Sequence, residues 1–211
     1  MKHIKFFGFV GILTLATTLG AQNPPPQSTQ PQQTPAPGGG RQGGGRGRGV
    51  AIMMLATTGW ADGGLVPAKY AQAGEEFSPP LTWSDPPDGT QSFLLVVHDI
   101  DATNIDGTLD TLHWMVWNIP ATARALPEHV PQGPELPDGS KQISVTGPYY
   151  RGPAAPATGP EHHYVFDLYA LDTKLDVPSV SVPVAPTRAA IAAGIVGHVR
   201  GKASLVGRFK Y

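Results

Sequence analysis

The sequence predicts a mainly β fold, an antiparallel β-sandwich of Greek-key type closed by one C-terminal helix. Three observations lead there. From Val50 onward, short apolar runs recur between turns dense in Pro, Gly and Asp, the spacing of an all-β domain. Those prolines leave no room for crossover helices between parallel strands. Only one segment, after Thr187, carries a helical period.

The elements follow in chain order. VAIMMLATT from Val50 suits a buried strand, and SPPLTWSDPPDGT (Ser78 to Thr90) is rich in turn residues. SFLLVVHD (Ser92 to Asp99), LHWMVWNIP (Leu112 to Pro120), KQISVT (Lys141 to Thr146) and HHYVFDLYAL (His162 to Leu171) are the next strands. Thr187 is placed to cap a helix in which Ala190, Ile191, Ile195 and Val199 share a face. His198 and Arg200 would lie at its negative end and Gly201 would stop it. KASLVGRFKY then forms a last strand.

The first 49 residues have a different character. Lys2 and Lys5 precede an apolar run from Phe6 to about Gly20, followed by Ala21. This is the pattern of a signal peptide over residues 1–21, shorter than the roughly 18–20 apolar residues of a membrane span. It predicts export to the periplasm or beyond in a bacterial cell, with an uncleaved anchor as the competing reading. Residues 22–49, rich in Pro, Gln, Gly and Arg, have almost nothing apolar to bury and read as a disordered linker. Arg41, Arg46 and Arg48 suit contact with anionic lipid heads or cell-wall polymers. All sixteen acids lie at or after Asp62, so the domain at 50–211 has ten Lys/Arg against sixteen acids, a balance of −6. That charge argues against a nucleic-acid partner. The lack of cysteine excludes disulfides and thiolate metal sites.

Strand parity sorts the polar groups. His162, Tyr164, Phe166 and Leu168 share one face, with His163, Val165, Asp167 and Tyr169 on the other. Parity sets His113 beside Met115 and Trp117, and ends the Phe93, Leu95, Val97 face with Asp99. Three strands thus each bring a polar group to an apolar surface. The acids Asp99, Asp101, Asp106 and Asp110 lack the spacing of a calcium loop. No paired-histidine zinc motif, serine-nucleophile elbow or phosphate loop is present.

Five motifs in order, SPPLTW, HDIDAT, LHWMVWNIP, GPAAPATGPEHHYVFDLYAL and GHVRGKASLVGRFKY, resemble the phosphatidylethanolamine-binding protein family, in particular its bacterial Raf kinase inhibitor-like branch. The resemblance covers about position 55 to the end. It implies a β-sandwich with a small anion-accepting pocket lined by Asp99, His113, Gly152, Pro153, Pro156, His162 and Tyr164, with Asp101 in support. It carries no cofactor and no catalytic residue. Ile100, Thr103 and Ala155 replace prolines of the family pattern, and His163 replaces its usual arginine.

The function expected is reversible, non-catalytic binding of a small phosphoryl or carboxyl head group, free or on a phospholipid. His113 and His162 would donate to its oxygens, Asp99 would orient a histidine, and Gly152 would let the backbone approach. The alternative from another class is a periplasmic protease inhibitor or protein-interaction module acting through Pro127–Ser140. A metal-dependent hydrolase built on the Asp/His cluster is the weakest reading. The resemblance also permits a homodimer.

Overall fold

The computed structural model describes residues 49–103, 110–179 and 183–211. The signal-peptide and linker readings, the linker arginines and Asp106 lie outside these residues. The described chain is mainly β with one helix. Its strands are β1 (Ala51–Ile52), β2 (Leu55–Ala56), β3 (Gly64–Leu65), β4 (Leu81–Trp83), β5 (Ser92–Thr103), β6 (Asp110–Pro120), β7 (Ala125–Leu126), β8 (Lys141–Ile143) and β9 (His162–Leu171). The helix α1 (Ala185–Gly194) precedes β10 (Val199–Phe209).

A seven-stranded sheet runs β1-β10-β9-β5-β6-β8, with β3 also on β10, and a three-stranded sheet runs β2-β4-β7. The long central strands pair antiparallel, but the short β1 and β3 add to β10 in parallel, which parity could not foresee. The run at Val50–Thr58 divides between the sheets: Ala51–Ile52 joins the large one and Leu55–Ala56 the small one. One apolar core joins the two sheets through Leu81, Trp83, Phe93, Leu95, Trp114, Phe166 and Leu205. A second cluster on the other face of the large sheet gathers Leu94, Met115, Trp117 and Ile143 with Ile191 of α1.

The helix begins earlier and ends sooner than its apolar spacing suggests. Pro186 occupies the first turn, Thr187 is buried inside it, and no side chain caps it. The chain reverses at Gly197, whose φ of 80° is left-handed, four residues before Gly201. Val199 then enters a ladder with β9 that runs to Phe209. A long ladder with apolar partners on alternate positions outweighs one more turn of solvent-exposed helix. His198 and Arg200 accordingly pair with Asp172 and do not sit at a helix end.

Of the three register shifts between β5 and β6, two place an extra residue in β6. Val97 faces Trp114 while His98 faces Leu112, so His113 is the extra residue of a β-bulge. Near the other end Asn118 (φ 60°) is skipped between Trp117 and Ile119. Its amide exchanges hydrogen bonds of 2.9 and 2.8 Å with the backbone of Leu175.

On the α1 face, His98 of β5 lies between two carboxylates. Its Nδ1 bonds Asp110 of β6 and its Nε2 is 3.5 Å from Asp167 of β9. Arg188 of α1 pairs with the same Asp110, while Ser204 and Lys202 of β10 serve Asp167. Burial opposes a charge on His98, but the two acids together raise its pKa. Burial likewise opposes ionisation of Asp167, but His98, Ser204 and Lys202 hold it down to about 2. A raised histidine stabilises the fold fully below its unfolded pKa of about 6.5 and loses that contribution as pH rises through the folded value. A depressed aspartate contributes above its unfolded pKa and loses it as pH falls through the folded one. The network therefore stabilises most between about pH 4 and 6.5. Melting temperature should fall above pH 6.5 in the native protein, and His98→Gln should flatten that decline. An equal decline in the variant would assign it to another group.

Candidate functional site

The site forms where the carboxyl end of β5, the bulge of β6 and the amino end of β9 meet the loop after Tyr150. Three sequence features produce it. The apolar face of β5 ends in Asp99, the apolar face of β9 begins with His162 and Tyr164, and the bulge turns His113 onto the side of Trp114. Without that bulge His113 would lie with Met115 and Trp117, as simple parity predicts. Instead its ring meets Tyr164 edge-on, 5.0 Å between centroids at 88°.

Asp99, 2 % exposed, is the hub. Its Oδ1 accepts the backbone N–H of Asp101 and of Ala102, both at 3.0 Å. Its Oδ2 accepts from Nδ1 of His162 at 2.8 Å. The carboxylate therefore shapes the end of β5, which continues as strand to Thr103, and fixes the His162 ring. Tyr164 completes the inner wall. Its hydroxyl accepts the Ala154 N–H at 3.1 Å, and burial, aided by the Asp99 charge, pushes its pKa far up, so the phenol stays protonated.

His113 is tied to the opposite wall. Its Nδ1 is 3.0 Å from the carbonyl oxygen of Arg151, and the Arg151 N–H donates to the His113 carbonyl at 3.0 Å. A carbonyl can only accept, so Nδ1 carries the proton. Burial pushes the His113 pKa down, with the carbonyl of Arg151 only partly opposing it, so the ring is neutral at neutral pH.

These groups line a cavity of about 310 Å³ together with Gln72, Ala102, Thr111, Arg151, Ala154, Ala155 and Pro156. That volume suits a head group or small anion. Asp99, His113, Pro156, His162 and Tyr164 are the sequence-predicted residues that come together there. Gly152 and Pro153 do not line it. A Cβ at residue 152 would lie 2.6 Å from the Tyr70 oxygen and 2.9 Å from Gln72 N, so this glycine admits the 70–72 backbone and not a ligand. Its N–H donates to Glu76 Oε1 (3.1 Å), its carbonyl accepts from Gln72 Nε2 (2.7 Å), and the Pro153 carbonyl accepts from Gln72 N (3.0 Å). The Gly152-Pro153 step is thus the clamp that holds the wall. Asp101 supports the rim from outside, accepting the backbone N–H and ring Nδ1 of exposed His163.

Gln72, Thr111 and Arg151 were not among the residues expected at the site. Gln72 follows the 3-10 turn Ala68–Tyr70, far away in sequence, and carries no motif. Arg151 had a signal, a cation immediately before Gly152-Pro153. Among the described residues, no three His, Cys, Asp or Glu side chains gather as a metal-holding group.

Comparison with known proteins bears on the family and the fold. The sequence profile described as phosphatidylethanolamine-binding protein matches residues 56–210. A protein of Methanothermobacter thermautotrophicus, named only as UPF0098, is 38% identical over 161 residues, covering 75% of this chain and 99% of its own. YbhB of Escherichia coli is 32% identical over 167 residues, 74% of this chain and 99% of its own. Among solved structures, YbcL of Escherichia coli, described as a member of the mammalian PEBP family, superposes with a TM-score of 0.64. It is 26% identical, over 75% of this chain and 98% of its own. LppC of Mycobacterium tuberculosis, named as a lipoprotein, is 32% identical over 160 residues, 75% of this chain and 72% of its own.

Proposed function

This chain belongs to the phosphatidylethanolamine-binding protein family, and on that premise we propose that it is an exported, non-catalytic protein that reversibly binds a small phosphoryl or carboxyl anion. The observation that carries this reading is the convergence of His113, His162, Tyr164 and Arg151 on one cavity whose acid, Asp99, is already saturated by hydrogen bonds. A saturated carboxylate leaves little to attract a cation, while imidazole, phenol and guanidinium groups suit oxygens. Among the described residues lining the cavity, none is arranged as a nucleophile with its own general base, which favours binding over chemistry. Export is supported by the N-terminal pattern and by the relative named as a lipoprotein.

Charge-assisted hydrogen bonds of roughly 1.5–3 kcal/mol each would give micromolar to millimolar affinity for such an anion. In a titration of the full domain with inorganic phosphate, the ring resonances of His113 and His162 should move while those of His129 and His198 stay. His162→Ala should weaken binding about tenfold or more, the loss of roughly 1.4 kcal/mol. Shifts confined to His163 and His198 would refute the site. Serine-protease inhibition that survives His162→Ala would place that activity on the Pro127–Ser140 surface instead.

A further inference from the structure

The proton inventory of the cavity allows the ligand class to be narrowed, on the premise that the site takes an anion as proposed above. The ring of His113 donates through Nδ1 to the Arg151 carbonyl, and its Nε2 has no hydrogen-bond partner among the described residues. In a neutral imidazole this second nitrogen presents a lone pair. A fully ionised oxyanion presents lone pairs as well, so the two repel unless a proton lies between them. The neighbouring groups cannot supply it. Asp99 on β5 is an acceptor only, and His162 on β9 gives its Nδ1 proton to Asp99. The phenol of Tyr164, also on β9, is the one remaining proton carried by the inner wall, and it too lies against Asp99. Thr111 on β6 gives its hydroxyl proton to the Ala102 carbonyl. In the 71–77 segment, Gln72 gives an amide proton to Gly152, and Glu76 only accepts.

Arg151 is the opposite case. It lines the cavity, and its charge opposes protonation of His113. Arg151 makes no ion pair among the described residues: Asp99 pairs with His162, Asp101 with His163, and Glu76 accepts the Gly152 N–H. An anion bound beside Arg151 would neutralise that charge and remove its opposition to a proton on His113.

We propose that anion binding is coupled to uptake of about one proton shared between His113 Nε2 and the ligand, with Arg151 as the fixed charge. The pocket would accordingly select inorganic phosphate or a phosphomonoester over a phosphodiester or sulfate. A phosphomonoester has its second pKa near about 6, so it reaches the site as a dianion and shares a proton with the imidazole. A diester carries a single charge, has no proton to share in this range, and attracts an imidazolium less strongly. A diacyl phospholipid head group is a diester and falls in the disfavoured class.

Isothermal titration of the whole protein at pH 7.5, in two buffers of different ionisation enthalpy, tests this directly. Glycerol phosphate and inorganic phosphate are the monoester-class probes; dimethyl phosphate and sulfate are the controls. The expected result is uptake of about one proton per glycerol phosphate bound, affinity that rises as pH falls from 8 to 6.5, and controls at least tenfold weaker. Arg151→Gln should weaken all four probes and reduce the proton uptake by glycerol phosphate, because no charge then opposes a proton on His113 before the anion arrives. Sulfate or dimethyl phosphate binding as tightly as glycerol phosphate, or binding without proton exchange, would overturn the coupling and leave the anion site standing. No binding by any probe would overturn the anion reading, and the coupling with it.

Discussion

Asp99→Ala should destabilise the domain by about 3 kcal/mol and remove measurable anion binding. The magnitude follows from what the carboxylate holds. Removing it leaves the half-buried N–H groups of Asp101 and Ala102 and the Nδ1–H of His162 without their acceptor. Each orphaned donor costs about 1–3 kcal/mol less whatever water recovers. Asp99→Asn separates the two roles. Its amide oxygen can still serve the Asp101 and Ala102 N–H groups, but its NH₂ then faces the His162 Nδ1. It should retain most of the stability and lose the orientation of His162, hence the affinity. Urea denaturation and a phosphate titration on both variants check this. A loss under about 1 kcal/mol in the alanine variant would mean that Asp99 is not the hub.

Gly152→Ala should act from the other wall and cost about 2–3 kcal/mol, in the range of overpacked sites. The added methyl would meet backbone atoms at Tyr70, Ala71 and Gln72, none of which can rotate away. The 151–156 loop must therefore lift from the 70–76 segment, breaking the bonds of Gly152 with Glu76 and Gln72. Arg151 and Pro156 would move with it, so anion affinity should fall at least tenfold although residue 152 touches no ligand. An unchanged midpoint of denaturation would show that the loop accommodates the methyl and that the clamp is loose. Unchanged affinity with reduced stability would assign Gly152 to the fold alone.

Much of this site was legible in the chain. Alternation along His162–Leu171 placed Tyr164, Phe166 and Leu168 in the core and sent His163 outward, and the structure has them there. The face ending in Asp99 was equally readable, because β5 runs regularly from Leu94 to Asp99 against β9. The placement of His113 was not, since a bulge breaks the two-residue period that any such reading rests on. Nothing in LHWMVWNIP marks His113 as the extra residue. The bulge is visible only once Trp114 is seen opposite Val97 and Leu112 opposite His98. The role of Gly152 was misread for a related reason. A glycine in a Gly/Pro loop announces that some backbone comes close, but not which one.

The helix teaches the same lesson at larger scale. Ala190, Ile191, Ile195 and Val199 keep a helical spacing, but Val199 lies within reach of Leu171 on β9, and the sheet takes it. Local spacing cannot weigh a helical turn against a ladder whose partner lies 28 residues away.

By itself, then, the amino-acid sequence determined a mainly β domain with one helix, its family, the inward faces of the regular strands, and the pairing of Asp99 with a histidine as half of a pocket. These depend on short-range periodicity and on motifs that survive in order along the chain. Only the tertiary structure decided that His113 turns toward Tyr164, that Arg151 and Gln72 join the cavity, and that Gly152 clamps the loop from behind. Those outcomes depend on bulges, on contacts between segments some 80 residues apart, and on which acids are already occupied. They follow from the balance of hydrogen-bond donors and acceptors in a closed space, a balance that exists only after the chain has folded.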